Sequence, residues 1–392
     1  MEIYYLIFGW TILLGFIDMY RPFLGKKGTR LFWLTVLLIT LFKGLRWDTG
    51  TDFPQYLACF QNVTWRNFLH FERYGVGSQY MEQGYTFLNV LIKSIIDDYT
   101  VFLVLSNGII MYAYGHIIMK YVPQYKFLCL ALTLISTTLF PVRQTLAVAV
   151  IIYSIPYLLQ HNLKKYLLCV LIAFSFHRSA IFLIFLYPVL VSDFYYKRNI
   201  AIYILLIVFS QYMYLVFDYL KSSELNIIMG GIMNQYDATN DKAIANELHN
   251  NNNLLTYISS IAQISLYYFC YSKIRSNFKD DKIVKFYNLM LNVYYLNLIF
   301  WAISFIPGFG SMNRIPGYFE FGYSFCITLT MLYFKKIKYV WAAVLLFAGT
   351  YIIKYEALDL SHATDDRGVN FFVPYKSCFE KDTPMREGLW LY

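Results

Sequence analysis

The chain has 392 residues, of which 58% are hydrophobic and only 15% are charged. A soluble domain carries about 25% charged residues, so this composition excludes a water-soluble protein, and its hydrophobicity also excludes a disordered one. Lys and Arg (33) outnumber Asp and Glu (24), which gives a net charge of +9. The basic residues lie in short clusters between apolar runs rather than on one domain, which excludes a nucleic-acid-binding protein. The composition therefore predicts an integral membrane protein.

Apolar runs recur along the whole chain, and about 20 such residues cross the hydrocarbon core of a bilayer. Lipid offers no hydrogen-bond partners, so a segment that crosses it in an open structure must be a helix to pair its backbone N–H and C=O groups. We therefore predict an all-α fold with up to twelve transmembrane or re-entrant helices. The runs are 3–20, 31–42, 100–119, 127–140, 144–160, 166–176, 179–191, 200–217, 254–272, 286–306, 315–334 and 339–353.

The distribution of basic residues predicts which side each loop faces. If the amino terminus is outside, 18 of the 33 basic residues fall in six short inner loops. This is the asymmetry expected of cytoplasmic loops. The scheme gives a transmembrane domain over 1–353, with large outer loops at 43–99 and 218–253, and a carboxyl-terminal tail over 354–392 on the outer face.

Within the first outer loop, residues 82–97 have an amphipathic pattern. Polar residues recur every three or four positions and apolar residues line the opposite side. The pattern predicts a helix lying in the outer interface, with a short true span as the alternative. The polar set is Glu82, Thr86, Asn89, Lys93 and Asp97, and the apolar set is Tyr85, Leu88, Leu91, Ile92 and Ile95.

Ionisable residues at the ends of the predicted spans gather on the outer side. Such residues at membrane depth are costly and usually line a polar site. A single arginine at such a position can instead extend its charged end to the lipid headgroups without binding a substrate. Several on the side where positive charge is disfavoured predict an anion site, and a guanidinium suits phosphate oxygens. The residues are Arg46, Asp48, Asp52, Arg143, His177, Arg178 and Arg314.

A general base is the second expectation for this outer side. In the stretch KGLRWDTGTDFPQY (43–56), turn-forming residues place Asp52 near the membrane surface, and Asp48 is the other candidate. Either carboxylate could take a proton from a sugar hydroxyl, and His177 is a further candidate. The alternatives are a helix cap at Asp52 and a packing role for His177. No set of ligands predicts a metal or another cofactor.

Five stretches in order resemble the EpsG family of Wzy-like polysaccharide polymerases. They are KGLRWDTGTDFPQY, the helix that begins at Glu82, PVRQTLAVAV (141–150), AFSFHRSAIFL (173–183) and VPYKS (373–377). The resemblance implies a GT-C-like protein of the bacterial inner membrane with its active face on the periplasmic or extracellular side. It implies glycosyl transfer that joins undecaprenyl-pyrophosphate-linked repeat units of exopolysaccharide, capsule or O-antigen. It also implies a chain-length regulator as a partner.

The same resemblance assigns roles to individual residues. The arginine and the G-T-D residues of the family fall on Arg46 and Gly50–Asp52, and its hairpin arginine falls on Arg143. Glu82 stands where the family places a glutamate-proline pair before the interfacial helix, and in this chain Gln83 takes the place of the proline. The catalytic candidates are Asp52, Asp48 and His177, and the substrate-binding candidates are Arg46, Tyr56, Glu82, Arg143, Arg178 and Arg314.

Other functions fit the same pattern of spans. An O-antigen ligase or another glycosyltransferase with a lipid-linked donor would use a similar site, and a membrane acyltransferase would use His177 as its base. A polysaccharide or lipid flippase belongs to a different class. A transporter is expected to have internal repeats and a charged path through the membrane. The sequence shows no repeat and its charges gather at one face, which favours an enzyme.

Overall fold

The computed structural model describes residues 2–50, 52–70, 81–136, 142–222, 253–277, 281–304, 312, 314–333 and 375–381. The regular secondary structure of these residues is helical apart from one two-stranded ladder, which confirms the all-α class. Contacts divide the chain into two compact units. The first comprises Met1–Tyr187 and Phe334–Tyr392, and the second comprises Pro188–Tyr333.

Three helices in the described part of the chain are long and apolar enough to cross a membrane. They are Ile3–Tyr20, Tyr99–Tyr121 and Lys282–Ser304, and shorter apolar helices lie at Arg143–Leu159, Arg178–Val191 and Phe321–Met331. The length and the apolar composition of these helices indicate a membrane protein. The predicted run 339–353 lies outside the described residues.

Among its described residues, the first unit contains two short strands and nine helices that do not cross the boundary to the second unit. Its elements are α1 (Glu2–Tyr20), α2 (Gly25–Gly44), β1 (Arg46–Trp47), α3 (Phe53–Asn62), α4 (Gln83–Lys93), α5 (Tyr99–Tyr121), α6 (Lys126–Ser136), α7 (Arg143–Tyr153), α8 (Ile155–Leu159), α9 (Leu163–Phe176) and β2 (Lys376–Ser377). Short 3-10 turns lie at Phe68–His70, Pro123–Tyr125, Arg178–Phe182 and Cys378–Glu380. In the core of this unit α1 packs on α6, α2 on α5, and α7 on both α5 and α9.

The boundary between the units falls within α10 (Leu183–Val191), at Pro188. The second unit continues with α11 (Tyr196–Ser222), α12 (Asn253–Asn277), α13 (Asp281–Ser304) and α14 (Phe321–Tyr333). Helix α13 packs against the other three. The amide of Asn292 on α13 donates to the carbonyl of Ser192 at 2.7 Å, which fixes the end of α10.

The predicted runs and the observed helices agree in position more than in length. Residues 144–160 form two helices, because Ser154 ends α7 and Pro156 lies in the first turn of α8. The run 179–191 begins as a 3-10 turn. Helix α11 continues to Ser222, and the remainder of the predicted loop 218–253 up to residue 252 lies outside the described residues.

The helix predicted at 82–97 is shorter, and its faces differ from those predicted. Helix α4 begins after Glu82 and ends at Lys93. Thr86 and Asn89, expected on the water-facing side, are buried, and the Thr86 hydroxyl donates to the carbonyl of Phe68 at 2.6 Å. Leu91, expected with the apolar set, is exposed. Thr86 and Asn89 therefore contact protein rather than water. Periodicity could not show this, because it separates polar from apolar residues but does not say which set contacts protein. The location of this helix in the outer interface stays a prediction.

Helices α2 and α5 approach closely at Gly44. A Cβ added there would lie 2.6 Å from the Cα of Val104 on α5, so the helices could not keep this separation. A Cβ added at Gly108, on α5 in the same helix pair, would meet only the Thr40 methyl group at 3.8 Å. The two helix backbones therefore approach closely at Gly44 but not at Gly108.

We expect Gly44→Ala to lower the free energy of unfolding by about 1–3 kcal/mol, because it overpacks a backbone contact. Gly108→Ala should leave stability unchanged or raise it, since alanine is favoured over glycine in a helix by about 0.5–1 kcal/mol. Thermal unfolding of both variants in detergent measures the difference. Equal losses at both positions would contradict the packing described here.

Candidate active site

Four of the predicted site residues meet at the ends of three helices. Asp52 and Glu82 are the N-cap residues of α3 and α4, and Arg143 is the first residue of α7. Tyr56 lies one turn into α3. We call Asp52, Tyr56, Glu82 and Arg143 the Arg143 cluster.

Hydrogen bonds connect the members of the Arg143 cluster in a chain. Arg143 donates from Nη1 to the Glu82 carboxylate at 2.6 Å and from Nε to the Tyr56 hydroxyl at 3.3 Å. The Tyr56 hydroxyl in turn donates to the Asp52 carboxylate at 3.1 Å. The guanidinium carbon also lies 5.3 Å from the centre of the Tyr56 ring. A single tyrosine thus links the predicted base to the predicted anion-binding arginine.

Burial strengthens these interactions. The side chains of Arg143 and Glu82 are only 18% and 10% exposed, so their ion pair is screened less than a pair on the surface. Tyr56 is buried, and this burial together with the charge of Asp52 raises its pKa to about 12. The hydroxyl is therefore protonated at neutral pH and can donate to Asp52.

Local sequence explains why these helix ends meet. Pro54 occupies the first turn of α3, where its missing N–H costs nothing. Gly84 lies in the first turn of α4 against α9, and a Cβ there would come within 2.8 Å of the Ser175 backbone oxygen. A side chain at residue 84 would push α4, and Glu82 with it, away from α9.

His177 and Arg178 lie at the end of α9 that contacts α4. His177 is the C-cap residue of α9, and its Nδ1 lies 2.7 Å from the Ser179 hydroxyl. Ser175, two residues earlier, is the residue that contacts Gly84. Arg178 is exposed in the following 3-10 turn. Both residues therefore belong to the same end of the first unit as the Arg143 cluster.

Asp48 and Arg46 have different surroundings. Asp48 is buried in the left-handed backbone conformation (φ 44°), and its carboxylate accepts from Lys376 at 3.3 Å. A general base must reach the substrate, and Asp52 is partly exposed whereas Asp48 is not. Arg46 is buried in β1, where burial lowers its pKa, and its charge interacts with Tyr99, Tyr375 and Tyr56.

A clamp from the carboxyl-terminal segment holds the first loop, and its pairing partners were not predicted from the sequence. Strand β2 pairs antiparallel with β1, with Trp47 opposite Lys376. The Tyr375 hydroxyl donates to the carbonyl of Phe42, and the Cys378 N–H donates to that of Leu45, both at 2.7 Å. We call residues 375–381 the tail clamp. The motif VPYKS was its signal, but the partners of Lys376 could not be read from it.

Arg314 belongs to the second unit, where it is exposed. The structure does not describe residues 305–311 and 313, so its assignment to the anion site stays a prediction. Within the described ranges, no group of three or more His, Cys, Asp or Glu side chains could hold a metal ion.

The family model of the EpsG family matches residues 29–377. The chain belongs to the EpsG family. The match spans the Arg143 cluster as well as β2, and it confirms the resemblance drawn from the five stretches. EpsG membership associates this membrane protein with polysaccharide biosynthesis as a Wzy-like polymerase. No curated protein sequence and no solved structure gives a significant match.

The Glu82–Arg143 ion pair should contribute measurably to stability. We expect Glu82→Gln to lower the free energy of unfolding by about 1–3 kcal/mol, because it removes the negative charge that pairs with the mostly buried Arg143 guanidinium. The double variant Glu82→Gln/Arg143→Gln should lose less than the sum of the single losses. Thermal unfolding in detergent measures both.

The exposed carboxylate of Asp97 on the same loop provides the matched control. Asp97→Asn should change stability by no more than about 0.5 kcal/mol. A loss in Glu82→Gln no larger than in this control, or strictly additive losses, would contradict the pairing.

Proposed function

We propose that this EpsG-family protein joins lipid-pyrophosphate-linked oligosaccharide repeat units by glycosyl transfer at the outer leaflet of the bacterial inner membrane. One observation carries the proposal. In this member of a polymerase family, the partly exposed carboxylate of Asp52 and the guanidinium of Arg143 are both hydrogen-bonded to the hydroxyl of Tyr56, although they come from distant segments. The lipid carrier proposed is undecaprenyl pyrophosphate.

The proposed reaction needs a base and a group that stabilises negative charge. The terminal hydroxyl of the acceptor attacks the anomeric carbon of the donor sugar and forms the new C–O bond. The bond from that carbon to the pyrophosphate oxygen breaks, and the lipid pyrophosphate leaves with both electrons. Asp52 takes the proton of the attacking hydroxyl. Because the lipid-linked sugar is already activated, the step consumes no nucleotide.

Arg143 is the proposed partner of the leaving group. A preorganised donor aimed at developing charge commonly supplies the largest part of catalysis. In the described part of the chain, its bonds to Glu82 and Tyr56 use Nη1 and Nε, and we place the phosphate oxygen at Nη2. The fixed fork of the guanidinium is suited to this task, whereas a lysine is not. Arg178 and His177 are the proposed second contacts.

Asp52→Asn and Arg143→Ala should each abolish polymer in cells while the protein remains in the membrane. Losing a general base costs about 100-fold or more in rate. Arg143→Lys should also fail, because it keeps the charge but loses the fork. The measurement is the length of the polysaccharide and of the lipid-linked intermediates, with Asp97→Asn and Arg66→Ala as controls at exposed positions.

The lipid-linked intermediate that accumulates in these variants distinguishes a polymerase from a ligase or a flippase. Loss of a polymerase leaves single repeat units on lipid at the outer surface. Loss of a ligase leaves full-length chains on lipid, and loss of a flippase leaves units at the inner surface. Either of the last two results, or normal chain length in Asp52→Asn, would overturn the proposal.

His177→Asn distinguishes a supporting role from a role as the base. Since Asp52 is the proposed base, the variant should keep a measurable rate, within about tenfold of the parent protein. A loss as large as that of Asp52→Asn would assign the proton transfer to His177 instead. The comparison uses the same chain-length assay at matched protein levels.

A further inference from the structure

Four buried polar side chains from different elements lie near one another in the first unit. Lys43 belongs to the last turn of α2 and Arg46 to β1, whereas Tyr85 belongs to α4 and Tyr99 begins α5. Arg46 is 1% exposed, Tyr85 is 0% exposed, and Lys43 and Tyr99 are each 4% exposed. We call these four residues the Arg46 group. The reaction proposed above uses none of their side chains.

Ring contacts and charge interactions bring the members of the Arg46 group together. The rings of Tyr85 and Tyr99 both pack on Phe102, with ring centres 5.7 Å and 5.8 Å from it. The charge of Arg46 interacts with both tyrosines, and the two tyrosines interact with each other. Lys43, three residues before Arg46, also interacts with its charge. The group therefore combines two basic side chains with two phenol hydroxyls.

Both hydroxyls of the Arg46 group are buried without a hydrogen-bond partner. Within the described residues, neither the Tyr85 hydroxyl nor the Tyr99 hydroxyl donates or accepts a hydrogen bond. Tyr56, whose ring centre lies 5.5 Å from that of Tyr85, instead donates to Asp52. A buried hydroxyl without a partner costs about 1–3 kcal/mol. Two of them side by side therefore indicate a bound water or ion that accepts from them.

Lys43 is buried without a counter-ion. In the part of the chain that the structure describes, its ammonium forms no hydrogen bond or ion pair. The two carboxylates nearest in sequence have other partners, since Asp48 accepts from Lys376 and Asp52 from Tyr56. A buried ammonium without a negative partner is costly, and the lysine then tends to lose its proton. An anion beside Lys43 would stabilise its charged form.

The chemistry of the Arg46 group suits an anion better than a water molecule. Arginine and lysine side chains only donate hydrogen bonds, and a phenol hydroxyl can donate one. An anion accepts from all of these donors and offsets the positive charge. A water molecule needs acceptors for its own hydrogens and carries no charge. Because all four side chains are buried, a small anion fits the group better than a phosphate that carries a lipid.

We propose that the Arg46 group binds a small inorganic anion, and that chloride is its ligand. The anion would accept hydrogen bonds from the hydroxyls of Tyr85 and Tyr99 and would lie close to the charges of Arg46 and Lys43. It would thereby connect the end of α2, strand β1, helix α4 and the start of α5. This site goes beyond the proposed function and does not depend on it.

Thermal unfolding in detergent tests the site, with chloride itself as the probe. The full chain is unfolded in potassium chloride and in potassium gluconate at equal ionic strength. A ligand that binds only the folded protein raises the midpoint of unfolding, and the rise grows with ligand concentration. We expect the midpoint to be higher in chloride by about 2–4 °C.

Two variants assign the effect to the Arg46 group. Tyr99→Phe keeps the ring and removes only the hydroxyl, so the protein should fold but bind chloride about tenfold more weakly, as expected when a hydrogen bond to a charged group is lost. Lys43→Met removes the second positive charge and should also weaken binding. Tyr112→Phe and Lys120→Met, at exposed positions of α5, are the matched controls and should keep the full shift.

Three results would overturn the chloride site. Equal midpoints in chloride and gluconate would leave the two hydroxyls to buried water. A full chloride shift in Tyr99→Phe or in Lys43→Met would place the anion elsewhere in the protein. A larger shift with inorganic phosphate than with chloride, lost in Tyr99→Phe, would assign the group to phosphate instead. All three are read from unfolding, so normal polymer in Asp52→Asn would refute the proposed function without affecting them.

Discussion

The mostly buried charge of Arg143 is the interaction on which the arrangement of the first unit depends. A guanidinium withdrawn from water at the end of an apolar helix requires a partner, because an unpaired charge there costs several kcal/mol. Glu82 supplies the opposite charge and Tyr56 supplies a hydroxyl oxygen. The two partners come from α4 and α3, so one side chain fixes two segments of the first loop against α7. Asp52 is placed in turn by its hydrogen bond from Tyr56.

The first loop also requires partners for its backbone, and the tail clamp provides them. The chain leaves the helical conformation after α2, so the carbonyl of Leu45 and the backbone groups of β1 lack partners within that helix. Strand β2 pairs with β1, and Cys378 donates to Leu45. Lys376 neutralises Asp48 where the backbone turns. The tail clamp is therefore part of the scaffold that presents Asp52, and Asp48 serves that scaffold.

The sequence was sufficient for properties that are local. Hydropathy predicted a helical membrane protein, and the order of short motifs predicted the EpsG family, since both are read along the chain. It was insufficient for partners that meet only after folding: Glu82 and Arg143 are 61 positions apart, and Lys376 and Asp48 are 328 apart. The burial of the polar residues of α4 was not predicted, for a related reason. A polar residue such as Thr86 can face water or a buried carbonyl, and an apolar residue such as Leu91 can face protein or lipid; periodicity does not distinguish them.

The charges of the site bear on how the proposed reaction would be catalysed. Asp52 and Glu82 together carry two negative charges, and Arg143 and the buried Arg46 carry two positive ones. Arg143 already holds a carboxylate, so a bound pyrophosphate gains little from it in the ground state. As the glycosidic bond breaks, negative charge would grow on the leaving oxygen and strengthen its interaction with Nη2 of the guanidinium. An interaction that strengthens only as the bond breaks lowers the barrier without overstabilising the bound substrate. If the proposed reaction holds, Glu82 would do more than anchor Arg143, because by offsetting its charge it would weaken the attraction of the arginine for the pyrophosphate before the bond breaks.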